Sequence, residues 1–363
     1  MESGAPQHGG KYYDSGSYGC IFTPALKCKP GTETVVDDGK PRGKQITKIM
    51  QVDNAIDEFI IGKRIHRIPL WKNYFLVAEA ICEPAAKQDF TKSNITQCDI
   101  LQKYPLNRLR LLRTVFGGTP LVSYKFNFKA DSFYDMAVHL IRGGALLTLY
   151  GIVHRDLHHG NVLIDGAGVP RIIDFNLSVD IRADIANQIG LHTYNVNLFQ
   201  EPPDSTIVNA VAQGMSAEKV IDDIIQKKDI LRSIQSVLGV NKAHMRAALE
   251  GFYEASRAMQ TGNYVKWFKG YWRTIDSWAI GSILVYILEK QLMWPSFQKE
   301  SSYKTYSDKF LKVLRGMCDM DPRRRLDCVQ ALAALEPKDF IIGKLAGEWL
   351  KKVGGGESED HHA

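Results

Sequence analysis

An aspartate, Asp156, and an asparagine, Asn161, stand five residues apart in the stretch HRDLHHGN, and a second aspartate, Asp174, follows thirteen residues later in IIDFN. A loop carboxylate such as Asp156 can accept the proton of an attacking hydroxyl. The oxygens of Asn161 and Asp174 suit magnesium, a hard ion that prefers oxygen ligands. That combination fits phosphoryl transfer, which needs a positioned hydroxyl, a metal–phosphate clamp and a cover that excludes water. A DxxxxN spacing alone is common, and its bland reading is a polar loop with capping residues. The whole set, with IVH before it and VLI and RII around it in a strand–loop–strand setting, is far more specific.

Candidates for the clamp and the cover lie upstream. DSGSYGCI (14–21) carries Gly16 and Gly19 in a turn between strand-like stretches, a weak signal alone because such glycines are usually just a hairpin. Twenty-nine residues after Gly19 comes Lys48, inside the alternating stretch QITKIM, and ten residues later comes Glu58. An inward-facing Glu58 could pair with Lys48 and hold it. Lys44 competes for the lysine position and Asp57 for the acid. Lys48 is preferred because it lies in the strand rather than in the polar turn 31–44.

These residues need elements to position them. KYY and CIF flank the glycine turn as a hairpin. Asp53 is placed to cap a helix running to about Arg67, with Pro69 just beyond its end. YFLVAEAI (74–81) and RLRLLRTVF (108–116) read as strands. Helices dominate afterwards: residues 133–150 repeat apolar side chains at helical spacing, and 273–293 is apolar nearly all round, as a central helix would be. Residues 205–262 are rich in helix formers.

Composition sets the limits. The 363 residues hold one large domain or two packed lobes, and 45% hydrophobic with 24% charged is an ordinary globular balance. Lys plus Arg exceed Asp plus Glu by 46 to 40, so the net charge is +6. That mild excess suits an anionic ligand such as a nucleotide, and no long basic run points to nucleic acid. The six cysteines form no CxxC pair, which predicts free thiols in a reducing compartment. The N-terminal stretch has no apolar core of a secretory signal, and the longest apolar run, Ala279–Leu288, is too short to span a bilayer.

Taken together, the stretches resemble eukaryotic-type protein kinases over about residues 12–335. HRDLHHGN and IIDFN match the catalytic and metal-binding loops. DSGSYGCI matches the phosphate loop, with Asp14 at the first glycine. Lys48 matches the third-strand lysine. QEPPDS (200–205) resembles the end of the activation segment, with Pro202, Pro203 and Asp204 matching. DSWAIGSIL (276–284) resembles the tryptophan-bearing helix, whose Asp276 would bond the catalytic-loop backbone. DPRRRLDCVQAL (321–332) would supply Arg325 to pair with Asp204. These last three have no counterpart in small-molecule kinases. The finer likeness, in DLHxGN, a GG pair and the PPD ending, is to the divergent serine/threonine kinases of large DNA viruses.

The resemblance implies an α+β, two-lobed fold: a disordered start (1–10), a β-rich lobe (11–116), a helical lobe (117–351) with an insertion at about 205–262, and a flexible tail (352–363). A nucleotide would bind between the lobes. It implies transfer of the γ-phosphate of ATP, with magnesium or manganese, to serine or threonine of protein substrates. Asp156 would be the base, Asn161 and Asp174 the metal ligands, and Lys48, braced by Glu58, the phosphate anchor. Gly16, Ser17, Gly19 and Ile21 would cover the phosphates, and adenine would meet main chain near Arg113–Phe116. Arg155 would pair with a phosphate on Thr193 or Tyr194. His158, in place of the usual lysine, would steady the γ-phosphate. No membrane and no specific nucleic acid are implied, and the viral likeness implies the host-cell cytoplasm and the virion. Two residues depart from the pattern. His158 also occurs in small-molecule phosphotransferases, which is the first alternative. Asn176 replaces a glycine, and asparagine tolerates left-handed backbone best after glycine. With Asp14, it leaves a silent kinase-like scaffold as the second alternative.

Overall fold

The computed structural model describes residues 10–16, 18–36, 44–88, 96–126 and 129–354. The chain is α+β and divides into two compact units. One holds the residues up to Gly118 together with Ile173–Ser178, and the other holds Thr119–Ile172 and everything from Val179 onward. A β-rich N-terminal unit and a larger helical unit are the parts expected of a two-lobed protein-kinase fold. The expected start and tail fall largely outside the described residues. The exceptions are Gly10, whose N–H donates to the Pro24 carbonyl, and 352–354, which close the last helix.

The first unit is a six-stranded antiparallel sheet in the order β1-β2-β4-β6-β5-β3. Its strands are β1 (Lys11–Gly16), β2 (Gly19–Thr23), β3 (Thr34–Val35), β4 (Gln45–Gln51), β5 (Ala80–Cys82) and β6 (Leu109–Val115). The alternation of a half-buried strand sends Ile49 to one face, where it packs with Phe22 and Leu111. Met50 goes to the other, against Ala55, Phe59 and Leu112. Helix α1 (Val52–Ile65) follows β4 directly. Its cap position is Gln51 and no side chain caps it, so Asp53 sits in the first turn rather than at the cap. The strand expected over 74–81 shrinks to β5, since residues 71–74 form a short helix.

The cysteine expectation is overturned. Cys20 is bonded to Cys98 and Cys28 to Cys82, with Cα atoms 6.0 and 5.7 Å apart. Both bridges lie in the first unit. Their sequence separations of 78 and 54 hide them from any motif search, because only the sheet brings the partners together. Cys318 and Cys328 are free and buried.

The second unit is mostly helical. The small strands β7 (Thr119–Pro120), β8 (Ile152–Val153), β9 (Val162–Ile164), β10 (Pro170–Ile172) and β11 (Val179–Asp180) pair as β10-β9-β7 and β11-β8, and they frame the HRD loop. Helix α2 (Ala130–Leu149) leads into β8. The segment expected as an insertion forms α3 (Pro203–Ala212), α4 (Ala217–Lys227), α5 (Ile230–Leu238) and α6 (Lys242–Ala255), followed by α7 (Tyr264–Tyr271). The central helix is α8 (Ile275–Leu292), buried on nearly every side, with α9 (Ser301–Met317), α10 (Cys328–Leu335) and α11 (Gly347–Gly354) after it. A Cβ at Gly144 of α2 would lie 2.6 Å from both Cys328 Sγ and Ile280 Cδ1, so glycine permits the close packing of α2, α8 and α10. The residues of α3 from Pro203 to Ala210 are all buried. The first helix of the segment is therefore part of the core, while α6 buries only Met245, Leu249 and Phe252. Among the described residues no helix is long and apolar enough to cross a membrane.

Candidate active site

Lys48 lies in the middle of β4, in register with Ile21 of β2 and Leu112 of β6. Its Nζ donates to Glu58 Oε2 at 2.9 Å and to Asp174 Oδ1 at 2.6 Å. The pairing therefore falls to Lys48 and Glu58, rather than to Lys44 and Asp57. Burial by itself would push Lys48 down, but the two carboxylates outweigh it and hold the ammonium above the ordinary lysine range. Burial, with Asp174 adding a like charge, pushes Glu58 up in spite of Lys48. One cation shared by two carboxylates leaves an excess of negative charge, which favours the arrival of a further cation.

Asp174 takes a left-handed backbone, with φ 64°, and Phe175 is buried against Phe75 with ring centroids 5.9 Å apart. Asn176 does not have a positive φ. The left-handed residue of this loop is therefore Asp174, which corrects the backbone argument for asparagine. Instead, both amide atoms of Asn176 are buried with no hydrogen-bond partner.

The glycine turn joins β1 to β2, and Asp14 Oδ1 accepts the backbone N–H of Ser15. A Cβ at Gly19 would sit 2.4 Å from the Ile49 carbonyl oxygen, so this glycine is required by strand packing. Gly16 is exposed with open space around it. Ser17 lies outside the described residues, and Ile21 is half-buried. The Phe116 N–H donates to the Lys44 carbonyl, which removes one main-chain donor from the stretch expected to meet adenine.

In the second unit, the HRD loop is held from below. Asp276, at the start of α8, accepts the backbone N–H of His154 at 2.7 Å and of Arg155 at 3.1 Å. Burial pushes Asp276 up even though both donors favour its charged form. Arg155 is left-handed, with φ 66°, a conformation worth about 1–3 kcal/mol of strain that the bonds to Asp276 offset. His154 is fully buried and its Nδ1 accepts the Asp156 N–H.

Three side chains surround the Asp156 carboxylate. Asn161 Nδ2 donates to the Asp156 carbonyl at 2.8 Å and faces Oδ2 at 3.4 Å, so its carbonyl oxygen is the atom left for a cation. That amide oxygen is a hard donor of the kind magnesium prefers. His158 Nδ1 accepts the Gly160 N–H at 3.0 Å, which assigns the ring proton to Nε2, 3.9 Å from Asp156 Oδ2. A Cβ at Gly160 would strike the His158 ring at 2.7 Å, so this glycine and this histidine go together.

Gln200 was not legible in the sequence: its Nε2 donates to Asp156 Oδ1 at 2.6 Å. Only its place four residues before Asp204 could have signalled it.

Asp204 and Arg325 form an ion pair at 2.6 Å, with both side chains fully buried. Trp267 Nε1 also donates to Asp204, and Arg325 lies over the Trp278 ring. Burial outweighs Arg325 and pushes Asp204 up. Lys228, between α4 and α5, donates to the carbonyls of Val196 and Leu198. Burial pushes it down to about 8 in spite of Glu201. The segment carrying Gln200 is thus fixed from two sides. The Arg155 guanidinium meets the Tyr264 hydroxyl, Tyr194 donates to Asp223 at 3.3 Å, and Thr193 is exposed.

No family model matches the chain. It is 24% identical over 252 residues to serine/threonine-protein kinase CBK1 of Pneumocystis carinii, covering 60% of this chain and 45% of that one. It is 21% identical over 253 residues to CBK1 of Candida albicans, covering 60% of this chain and 32% of that one. A shorter match, 41% over 73 residues, is to the DNA damage-responsive serine/threonine-protein kinase RqkA of Deinococcus radiodurans, covering 20% of this chain and 9% of that one. These relatives support the protein kinase superfamily. The chain spans less than half the length of each, and none of the three is viral.

Proposed function

We propose that the chain transfers the γ-phosphoryl group of ATP, with magnesium, to serine or threonine hydroxyls of protein substrates. The observation that carries the reading is the Lys48 ammonium seated between Glu58 and Asp174. Lys48 anchors the α- and β-phosphates, and Glu58 keeps it in place. Asn161 and Asp174 are the oxygen donors for magnesium, or for manganese in its stead. Asp156 orients the acceptor hydroxyl and takes its proton, with Asn161 and Gln200 fixing the carboxylate. The Nε2–H of His158 donates to the γ-phosphate, which replaces the point charge of a lysine by one directed hydrogen bond. Gly16, Ser17, Gly19 and Ile21 form the cover, and protein substrates are the partners.

The buried Asp204–Arg325 pair and Asp276 under the HRD loop favour a protein over a small-molecule acceptor. The likeness to kinases of large DNA viruses rests on DLHHGN and the PPD ending, and with it goes a host-cell cytoplasmic and virion location. That location has to accommodate two disulfides, which persist in oxidising surroundings.

The test is transfer of labelled γ-phosphate to a mixed protein substrate, followed by phosphoamino-acid analysis. Label on serine or threonine that disappears in Asp156→Ala supports the reading. Label that survives the substitution, or appears only on a small alcohol, sinks it.

A further inference from the structure

A cavity of about 730 Å³ lies wholly in the helical unit, walled by the end of α6, by α7 and the turn after it, by the DPRRR segment and by α11. Its lining brings together six cationic side chains: Arg257, Lys266, Lys269, Arg273, Arg323 and Lys352. No carboxylate is among the lining residues. The cations come from four separate stretches of chain, so no basic run announces them in the sequence.

We propose that this cavity binds a compact ligand carrying several clustered phosphate groups. Six like charges around one concavity repel each other and focus a positive potential, which a multivalent anion relieves. Nearby carboxylates neutralise the cluster only in part. Asp321 holds Arg323 through a fork of bonds, and buried Asp327 feels Arg273 while it accepts from Trp349 Nε1. Among the described residues no ion pair involves Arg257, Lys266 or Lys269.

A second observation points the same way. The Nε of Arg273 is buried without a hydrogen-bond partner, so the fold leaves this edge of a cavity-lining guanidinium unneutralised. The size argues against a single phosphate ion, because the volume falls in the range of small-molecule sites. Trp272 and Trp349, in edge contact at 5.8 Å, give the wall a rigid apolar face for the ring or chain that bears the phosphates.

A soluble polyphosphate and a phosphorylated lipid headgroup share this chemistry, and the experiment has one arm for each. The full chain is titrated calorimetrically with inorganic tripolyphosphate, and by flotation with phosphatidylcholine vesicles containing phosphatidylinositol bisphosphate. Arg257 and Lys269 are exposed, so Arg257→Glu with Lys269→Glu leaves the fold intact. Saturable binding in either arm is expected, weakened at least tenfold by the double charge reversal, less by the corresponding glutamines, and left unchanged by Lys48→Met. Binding in the vesicle arm alone assigns the site to a lipid headgroup. No saturable binding in either arm, equal binding by the double variant, or loss in Lys48→Met would overturn the proposal.

Discussion

The two units solve the same problem, holding charged groups in fixed geometry, by different means. In the N-terminal unit the ionic group, Lys48 with Glu58 and Asp174, is only partly shielded from solvent, and two disulfides tie the sheet together. In the helical unit the ion pair, Asp204 with Arg325, is wholly buried among tryptophans and no disulfide forms among the described residues. A single sheet with one long helix buries little apolar surface, so covalent staples contribute where packing is thin. A large helical core can offset the desolvation of a charge pair and use it to fix a loop.

The largest effect is expected at the buried pair. Arg325→Ala strands the Asp204 carboxylate in the core and should cost about 3–5 kcal/mol in denaturant unfolding. Adding Asp204→Ala should recover part of that loss. A cost under about 1 kcal/mol for the single variant would break the contrast between the units. Next comes the staple. Removing either disulfide with a cysteine-to-serine change should cost about 2–4 kcal/mol. A thiol count on the denatured, unreduced chain should give the two free cysteines, Cys318 and Cys328, and six after reduction. Six in both would return the N-terminal unit to plain packing.

Much of this was legible beforehand, and what was not has a physical reason. Lys48 and Glu58 were readable because a strand and the helix that follows it set their spacing, whereas Asp276, Asp204 and Arg325 were readable only through the resemblance of their motifs to protein kinases. Lys48 takes its place from a strand register, and Asp276 from the first turn of a helix. The disulfides, Gln200 and the Lys228 anchor were not, because their partners are joined only by tertiary packing. Gly19 looked like a phosphate-loop residue, yet the contact that demands glycine there is the Ile49 carbonyl. The left-handed backbone expected at Asn176 belongs instead to Asp174, two residues earlier.

Smaller effects sharpen the same contrast. Glu201 accepts from Ser205 and Thr206 and meets His192 at 2.9 Å. Burial would raise it, but His192, Lys228 and Ser205 prevail and hold it below the ordinary 4.5. A depressed carboxylate adds stability that is complete above about pH 4.5 and is lost as pH falls through its lowered value. Glu201→Gln should therefore flatten the acid limb of a stability-versus-pH curve. An unchanged limb would place the acid sensitivity elsewhere. The smallest change is expected from Asn176→Gly. It removes two buried, unpaired amide atoms, a gain of about 1–3 kcal/mol, against about 0.5–1 kcal/mol for glycine's added freedom. Slight stabilisation with transfer retained is the expected result. A tenfold loss of transfer would give Asn176 a part in the chemistry.

The most direct test of the central claim is a time course of labelled γ-phosphate transfer. Wild type, Lys48→Met and Asp156→Ala would each face serine, threonine and tyrosine peptides and a small amino alcohol. The account predicts magnesium-dependent labelling of serine or threonine peptides by wild type, with both variants reduced at least a hundredfold. Equal rates in all three proteins, or label confined to the amino alcohol, would contradict it.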